Sequence, residues 1–167
     1  MGNDATGGTR LQIDAEAFER LQRLAMYEIV CAMLDLSCEV QETLGLRPDA
    51  CQVYLLIAVS AVQRYARAPD GAYVGIDPIP LSQSGTISRR RIADASGLPR
   101  ETVARHVRNL IGRGLVIEVG RGRLTTPPGL LRDVGPTGLL DRMARHSAGL
   151  ANALLRLEVL VPVERPG

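Results

Sequence analysis

The segment 88–126 constrains the fold of this 167-residue chain more than any other part of the sequence. Ser88 is a residue type that caps helices, and the apolar Ile92 follows it at a helical position. Gly97 can supply the positive φ that lets the chain turn after a short helix. Pro99 then suits the first turn of a second helix, because its missing N–H would have no partner there. The segment therefore predicts two short helices separated by a tight turn.

The second of these helices, about 99–113, is amphipathic and is followed by a hairpin. Its inward stripe consists of Val103, Val107, Leu110 and Ile111. The opposite, solvent-facing side carries Arg100, Glu101, Arg105 and Arg108. Strand-like residues at 115–119, a glycine-flanked turn at 120–122 and a returning strand to Thr126 predict a β-wing, about 115–126, with Arg121 at its tip.

The positive charge of the chain is concentrated in the same segment. Residues 82–124 contain nine arginines and three acidic residues, a net charge of +6, whereas the whole chain has a net charge of +2. A local basic patch on one module is typical of nucleic-acid-binding proteins. Arginine forks match guanine edges in the major groove, and a glutamate can accept a hydrogen bond from cytosine. The sequence therefore predicts a domain that binds double-stranded DNA.

A second interpretation of the same pattern remains open. A winged helix can dock on another regulator or on the transcription machinery without binding DNA, and its arginines would then form a solvated face. Clustering of the arginines on the side of the helix that would face the groove favours DNA.

The run Gly-Leu-Pro-Arg-Glu-Thr-Val-Ala-Arg at 97–105, continuing to Leu110 and to Gly-Leu-Val at 114–116, resembles the DNA-binding half of the cyclic-AMP receptor and Fnr regulators. The resemblance covers roughly a quarter of the chain. One residue departs from the family pattern, because His106 stands where that family usually places an apolar residue. Nothing upstream resembles the glycine-rich cyclic-nucleotide β-roll of the family, so no cofactor is expected.

The resemblance implies roles for individual residues of the predicted recognition helix. Residues that match Arg100, Glu101 and Arg105 contact bases in that family, and the residue that matches Thr102 contacts phosphate. Further contacts to the DNA backbone are expected from both helices and from the wing. The full set of expected backbone contacts is Ser88, Arg89, Arg90, Thr102, Arg108, Arg121 and Arg123.

Two amphipathic segments near the chain ends predict a homodimer. Residues 14–44 contain no proline or glycine and predict a helix about 46 Å long, at 1.5 Å per residue. This helix has one apolar stripe and a second apolar side formed by Leu24, Met26, Val30 and Met33. A second seam, apolar except for one serine, follows steps of three and four as in a coiled coil and stops at Pro162: Leu140, Met143, Ser147, Leu150, Leu154, Leu157 and Val161.

The order of the predicted elements is similar to that of MarR-type regulators, which are dimers joined through their terminal helices. The residues expected at the dimer interface are Phe18, Leu21, Ala25, Ile29, Leu36, Leu150, Leu154 and Leu157. The alternative is that both helices only cover the core of their own subunit. A dimer would place two recognition helices about 34 Å apart, so the expected target is a near-palindrome.

The expected fold class is mainly α with a small β-hairpin wing: a winged helix-turn-helix with long N- and C-terminal dimerisation helices. We expect a disordered N-terminus at 1–10, a helical dimerisation region at 11–70, the winged helix-turn-helix at 71–127 and a C-terminal helix that completes dimerisation at 128–167. A second helix is expected to begin at Pro48 or Asp49. Residues 67–87 are either an ordered loop with a short strand around 72–76 or a linker.

Other residues could support sensing, each with an ordinary structural alternative. Cys31 and Cys38 lie about 10.5 Å apart along one helical face, too far for a disulfide within the helix. They could pair across a dimer or sense oxidant, or they could be small buried residues, and the sequence leaves a redox role for Cys51 equally open. The tyrosines could line the pocket of a small-molecule effector, or they could be ordinary half-buried side chains; they are Tyr27, Tyr54, Tyr65 and Tyr73.

The sequence lacks the signatures of several other function classes. His106 and His146 have no neighbouring residues at metal-ligand spacing, so no metal site is expected. The absence of a phosphate loop, of a Ser/His/Asp order and of a paired carboxylate site indicates that the protein is not an enzyme. No stretch is long enough to span a membrane. Three cysteines without paired spacing favour a reducing compartment, and we expect a bacterial cytoplasm.

Overall fold

The computed structural model describes residues 10–66, 78–130 and 137–163. The described residues divide into two compact units. One, called the terminal unit, contains residues 10–38 and 141–163; the other, called the winged-helix unit, contains residues 39–66, 78–130 and 137–140. None of the described helices combines the length and the apolar character that crossing a membrane requires.

The fold is mainly helical with small antiparallel sheets, as the sequence predicts. The described helices are α1 (Ala15–Leu44), α2 (Pro48–Ala66), α3 (Arg89–Ser96), α4 (Arg100–Gly112) and α5 (Leu139–Arg156). The described strands are β1 (Leu11–Ile13), β2 (Ile87–Ser88), β3 (Ile117–Val119), β4 (Arg123–Thr125) and β5 (Leu160–Pro162). Strand β1 pairs with β5, and β4 lies between β2 and β3. This order confirms the predicted winged helix-turn-helix.

Helix α1 begins and ends close to its predicted limits. The Oδ1 atom of Asp14 accepts a hydrogen bond from the backbone N–H of Ala17 at 2.8 Å, which caps the first turn. Gly45, with φ 57°, ends the helix. The backbone at Leu21 is not helical, with φ −108° and ψ 17°. The prediction of one uninterrupted helix is therefore wrong, because two helical segments meet at a kink.

The terminal unit has an apolar core between α1 and α5. Ala25, Leu154 and Val159 are buried at its centre. The residues that pack against this centre are Phe18, Leu21, Ile29, Leu150, Leu157 and Leu160. The two-stranded sheet joins the residues before α1 to those after α5. The Asp14 N–H donates to the Val159 carbonyl at 3.0 Å, and the Val163 N–H donates to the Arg10 carbonyl at 2.7 Å.

Helix α5 is shorter than the apolar seam predicts. The seam indicated a helix to Val161, but α5 ends at Arg156 and Val161 lies in β5. Glu158 has φ 57°, and the Val159 N–H donates to the Leu154 carbonyl at 3.0 Å, which is the closing bond of a Schellman motif. The helical prediction was wrong here because the chain reverses at a non-glycine residue and the apolar pattern continues through the turn.

The winged-helix unit is built around α2, which packs against α3, α4, β2 and β4. The side chains that are completely enclosed here include Val53 and Ile57 of α2, Ile92 of α3, Leu110 of α4, and Leu124 of β4. Burying each side chain of this size contributes about 1.5–3 kcal/mol. Helix α2 therefore forms the base on which the helix-turn-helix is held, although the sequence had placed it with the dimerisation region.

Some predictions fall on residues that lie outside the described ranges. These are the disorder expected over 1–9, the strand expected around 72–76, the position of Tyr73 and the side chain of Tyr65.

Candidate nucleic-acid interface

The turn between α3 and α4 has the geometry that the sequence predicts. The Oγ atom of Ser88 accepts a hydrogen bond from the Arg91 N–H at 3.3 Å and caps α3. Gly97 adopts φ 71°, and its N–H donates to the Ala93 carbonyl at 3.0 Å. A side chain with a Cβ would be strained at this φ, so glycine permits the sharp turn. The turn directs the chain into α4.

Helix α4 buries one face and leaves the opposite face exposed. Val103, Val107 and Leu110 are completely buried. Glu101, Arg105 and Arg108 are exposed and follow one another at intervals of four and three residues, so they share one face. Arg100 is exposed in the first turn, and Thr102 is half-buried beside it. The residues expected to contact bases are therefore exposed to solvent, on a helix whose opposite face is packed into the core.

The first turn of α4 leaves backbone donors available. Pro99 is the N-cap residue and makes no side-chain capping bond. The first N–H groups of a helix have no partner within the helix, and together with the helix dipole they favour an anion such as phosphate. Thr102 lies in this turn, and the family resemblance implies a phosphate contact at its position.

The wing is a tight hairpin with an exposed arginine at its tip. Strands β3 and β4 pair antiparallel with Val119 opposite Arg123. Gly120 and Gly122 adopt φ 50° and 76°, and Arg121 between them is exposed. Because both flanking residues lack a Cβ, the tip can approach another molecule closely.

Two arginines that the sequence assigns to the DNA backbone make bonds within the chain. The Arg89 guanidinium forms an ion pair with Glu118 at 2.5 Å, which ties the start of α3 to β3. Arg123 donates from Nε to Thr86 Oγ1 at 2.9 Å and from Nη2 to the Thr86 carbonyl at 3.1 Å. The hydrogen bond from Arg89 lowers the pKa of Glu118. Arg89 holds the wing against α3, and Arg123 holds it against the segment that leads into β2.

The remaining expected backbone contacts are more open. Arg90 is exposed and lies 3.9 Å from the Asp94 carboxylate, four residues along α3. Across the three described ranges, no side-chain ion pair or hydrogen bond engages Arg100, Glu101, Arg105, Arg108 or Arg121. An interface for a polyanion needs unpaired cations such as these four arginines, because pairs inside the protein would compete with phosphate.

Arg113 has a role that sequence reasoning missed. Its guanidinium donates to the Leu44 carbonyl at 2.5 Å and to the Gly45 carbonyl at 3.1 Å. Those carbonyls stand at the C-terminal end of α1, where helix carbonyls lack partners and a positive charge is favourable. The absence of a basic residue from the last turn of α1 was the only signal of this need in the sequence. Arg113 belongs to the scaffold although it lies in the basic segment.

His106 and Thr125 each bury a polar atom without a partner. In the part of the chain that the structure describes, neither His106 Nε2 nor Thr125 Oγ1 has a hydrogen-bond partner. His106 is half-buried on α4, at the position where the sequence departs from the family pattern. At this position the structure therefore has a buried imidazole nitrogen without a hydrogen-bond partner in the packing of α4.

The residues expected at a dimer interface lie mostly in the core of the terminal unit. All of them except Leu36 belong to the cluster around Ala25, Leu154 and Val159. A second set of apolar side chains on α1 faces outward, each with 44% to 65% of its surface exposed: Leu24, Met26, Tyr27, Val30, Met33 and Leu34. We call these six residues the outer face of α1.

The candidate sensing residues are dispersed. Cys31 is half-buried, Cys38 is exposed and Cys51 is buried, and all three are free thiols. Tyr54 is buried, which raises its pKa to about 12, whereas Tyr27 is exposed. No cluster of potential metal ligands occurs among the described residues.

One comparison with known proteins identifies a relationship. Residues 81–117, which include α3 and α4, match the family of winged helix-turn-helix DNA-binding domains. No curated protein and no solved structure matches the chain. The matched segment is thus similar to DNA-binding domains in sequence and has their helix-turn-helix geometry, which together support a DNA-binding regulator.

Proposed function

We propose that the chain is a sequence-specific transcriptional regulator that binds a near-palindromic DNA site as a homodimer. The observation that carries the proposal is the exposed, unpaired row Glu101, Arg105 and Arg108 on a helix whose opposite face is completely buried. A helix held in this way can enter the major groove without rearrangement of its own side chains.

The bases would be contacted from the first half of α4. Arg100 and Arg105 have the planar forks that match guanine O6 and N7, and Glu101 can accept from the amino group of cytosine. All three are exposed, as this role requires. Base contacts from one recognition helix specify one half of the site.

The DNA backbone would be contacted by donors that surround these side chains. Arg108, Thr102 and the free N–H groups of the first turn belong to α4, Arg90 and the Ser88 region belong to α3, and Arg121 belongs to the wing. Arg89 and Arg123 would act mainly by holding the wing in position, since each is bonded within the chain.

The homodimer is supported by the outer face of α1. Monomeric proteins rarely leave a large contiguous apolar patch in water, and such patches usually mark interaction sites. Its residues recur at intervals of three and four, for example Met26, Val30 and Met33, so they form a continuous stripe along the helix. The sequence had already identified part of this stripe as the second apolar side of α1.

The proposed base contact can be tested by DNA titration. Fragments bound by the purified protein are first selected from genomic DNA to obtain a site. Arg105→Ala should then weaken binding to that site by about 1–3 kcal/mol and change binding to random DNA little, because a base contact carries sequence information. Affinity is measured by fluorescence at several salt concentrations.

Arg121→Ala is the matched control, since it removes the same side chain from the tip of the wing. This variant should weaken binding to the selected site and to random DNA alike, and it should reduce the slope of log K against log salt by about 1 per subunit. If Arg105→Ala weakened both DNAs equally, Arg105 would be a phosphate contact only. If the unaltered protein bound no DNA at low salt, the proposed function would be wrong.

A further inference from the structure

The two edges of the sheet in the terminal unit are not equivalent. The Val163 N–H donates to the Arg10 carbonyl, and the Asp14 N–H donates to the Val159 carbonyl, so the residues on both sides of β1 bond toward β5. Antiparallel strands alternate, so Gln12 also directs its backbone groups toward β5, while Leu11 and Ile13 direct theirs away from it. Within the described residues, β1 is paired on one side only.

The outer edge of β5 is blocked by proline. Pro162 lies opposite Leu11, at a position whose backbone groups also point away from the partner strand. A proline has no N–H to offer there, and proline on an outer edge is a common protection against further pairing. β1 has no proline, and both Leu11 and Ile13 leave large parts of their side chains exposed, 40% and 65%. The sheet is therefore protected at one edge and open at the other.

The sequence of the open strand is complementary to itself in one orientation. In an antiparallel pair centred on Gln12, Arg10 stands opposite Asp14 of the second copy, and Leu11 stands opposite Ile13 of the second copy. This pairing places opposite charges together on one side of the sheet and apolar side chains together on the other. A parallel pair would instead place Arg10 beside Arg10 and Asp14 beside Asp14.

We propose that β1 pairs antiparallel with β1 of a second copy, giving a four-stranded sheet in the order β5-β1-β1-β5 across the dimer. Leu11 and Ile13 of each copy exchange backbone hydrogen bonds with Ile13 and Leu11 of the other. Because Pro162 protects both outer edges of the resulting sheet, the association stops at two copies. The inference depends on the proposed homodimer and names the strand through which its subunits pair.

A strand of this length cannot form the interface alone. A stable interface buries about 800 Å² per partner, far more than one short strand offers. The outer face of α1 belongs to the same unit as β1 and supplies the exposed apolar surface that the strand lacks. The strand pair would then fix the register and orientation, and the helix would contribute most of the buried area.

Amide hydrogen exchange of the full chain tests the pairing without DNA. Sedimentation equilibrium first defines the concentrations at which the chain is a monomer and a dimer. The Leu11 and Ile13 amides should exchange at least tenfold more slowly in the dimer range, whereas the Gln12 amide, bonded inside the chain, should change little. If the Leu11 and Ile13 amides exchanged fast in both ranges, the strand pairing would be overturned, and the dimer would be of another kind. Protection that is the same at every concentration would also overturn it, because it would show pairing within one chain.

Two variants at one position separate the backbone from the side chain. Ile13→Pro removes the outward N–H and should raise the dimer dissociation constant at least tenfold more than Ile13→Ala, which removes most of the side chain but keeps the N–H. Equal effects of the two variants would contradict the pairing. A chain that stayed monomeric at all concentrations would overturn both the pairing and the homodimer, and the DNA titration would still decide whether the winged helix binds DNA.

Discussion

At the scale of single residues, the arginines of the basic segment serve two different ends. Arg89, Arg113 and Arg123 bond to groups inside the chain, and Arg105 and Arg121 are exposed without such bonds in the described structure. The planar guanidinium suits both tasks, because it can serve two acceptors at once in a carbonyl pair or on a phosphate. Net charge alone therefore overstates the number of arginines that are free to meet DNA.

Replacing Arg113 should cost stability rather than direct DNA contact. Arg113→Ala leaves the carbonyls of Leu44 and Gly45 without their donor, and we expect the free energy of unfolding to fall by about 1 kcal/mol. Arg108→Ala is the matched control: its side chain is exposed and unbonded, so unfolding should change by less than about 0.5 kcal/mol while DNA affinity falls. Urea denaturation followed by circular dichroism measures both. A reversed order of the two stability changes would contradict the assignment of Arg113.

The sequence could not separate these two groups of arginines. Exposure of Arg100, Glu101 and Arg105 followed from the helical period, because the buried stripe fixes which side faces water. The partner of Arg113 depends on a carbonyl 69 residues away along the chain, which only the folded structure brings near. Local spacing predicts which face a side chain occupies, and tertiary packing decides what it touches there.

At the scale of elements, the ends of helices and strands were predictable where a capping serine, a glycine or a proline marks them. Ser88 caps α3 and Gly97 ends it as expected, whereas Pro99, expected inside the first turn of α4, is the N-cap residue just before it. Strand β2 was not predicted, since two residues are too few to show a period. The end of α5 was also missed, because Glu158 adopts a positive φ without being glycine or asparagine. The elements with a local chemical signal were predictable, and those defined by pairing alone were not.

A glycine outside these elements is required by close packing. The Gly85 N–H donates to the Ala61 carbonyl at 2.9 Å, and a Cβ built on Gly85 would lie 2.0 Å from the carbonyl oxygen of Ser60. That oxygen belongs to the backbone of α2, so it cannot move aside as a side chain could. The segment leading into β2 is therefore held directly against the helix that supports α3 and α4.

Gly85→Ala should destabilise the winged-helix unit by at least about 2 kcal/mol, because relieving the overlap requires the segment to move away from α2. Gly112→Ala, the control, adds the same methyl group at the end of α4, where nothing beyond the adjacent residues and the backbone of its own helix lies within 4 Å. Alanine is the better helix former, so this variant should be neutral or more stable by up to about 1 kcal/mol. Thermal unfolding of both proteins measures the difference. Similar melting temperatures for the two variants would show that the contact at Gly85 is not required.

At the scale of the whole molecule, one chain offers only half of what a palindromic site needs. Within the described residues, α4 is the helix proposed to enter the major groove, and it belongs to the winged-helix unit, whereas the outer face of α1 lies in the terminal unit. Reading two half-sites requires two copies of α4, spaced about 34 Å apart for half-sites one turn of DNA apart. The exposed face of α1 thus links the proposed assembly to the proposed mode of DNA binding.

A charge placed on the outer face of α1 tests that link. Met33→Glu should give a folded monomer, because Met33 is already 64% exposed and its replacement disturbs no core, whereas an interface would have to bury the new carboxylate. The variant should therefore bind DNA more weakly, and the slope of log K against log salt should fall by about half, since only one subunit then contacts phosphates. Gln52→Glu on α2 adds the same charge to an exposed position of the winged-helix unit and should leave the dimer intact. Sedimentation equilibrium and salt-dependent DNA titration of both variants provide the readings. If Met33→Glu remained a dimer with an unchanged salt slope, the outer face of α1 would not be where the two copies meet.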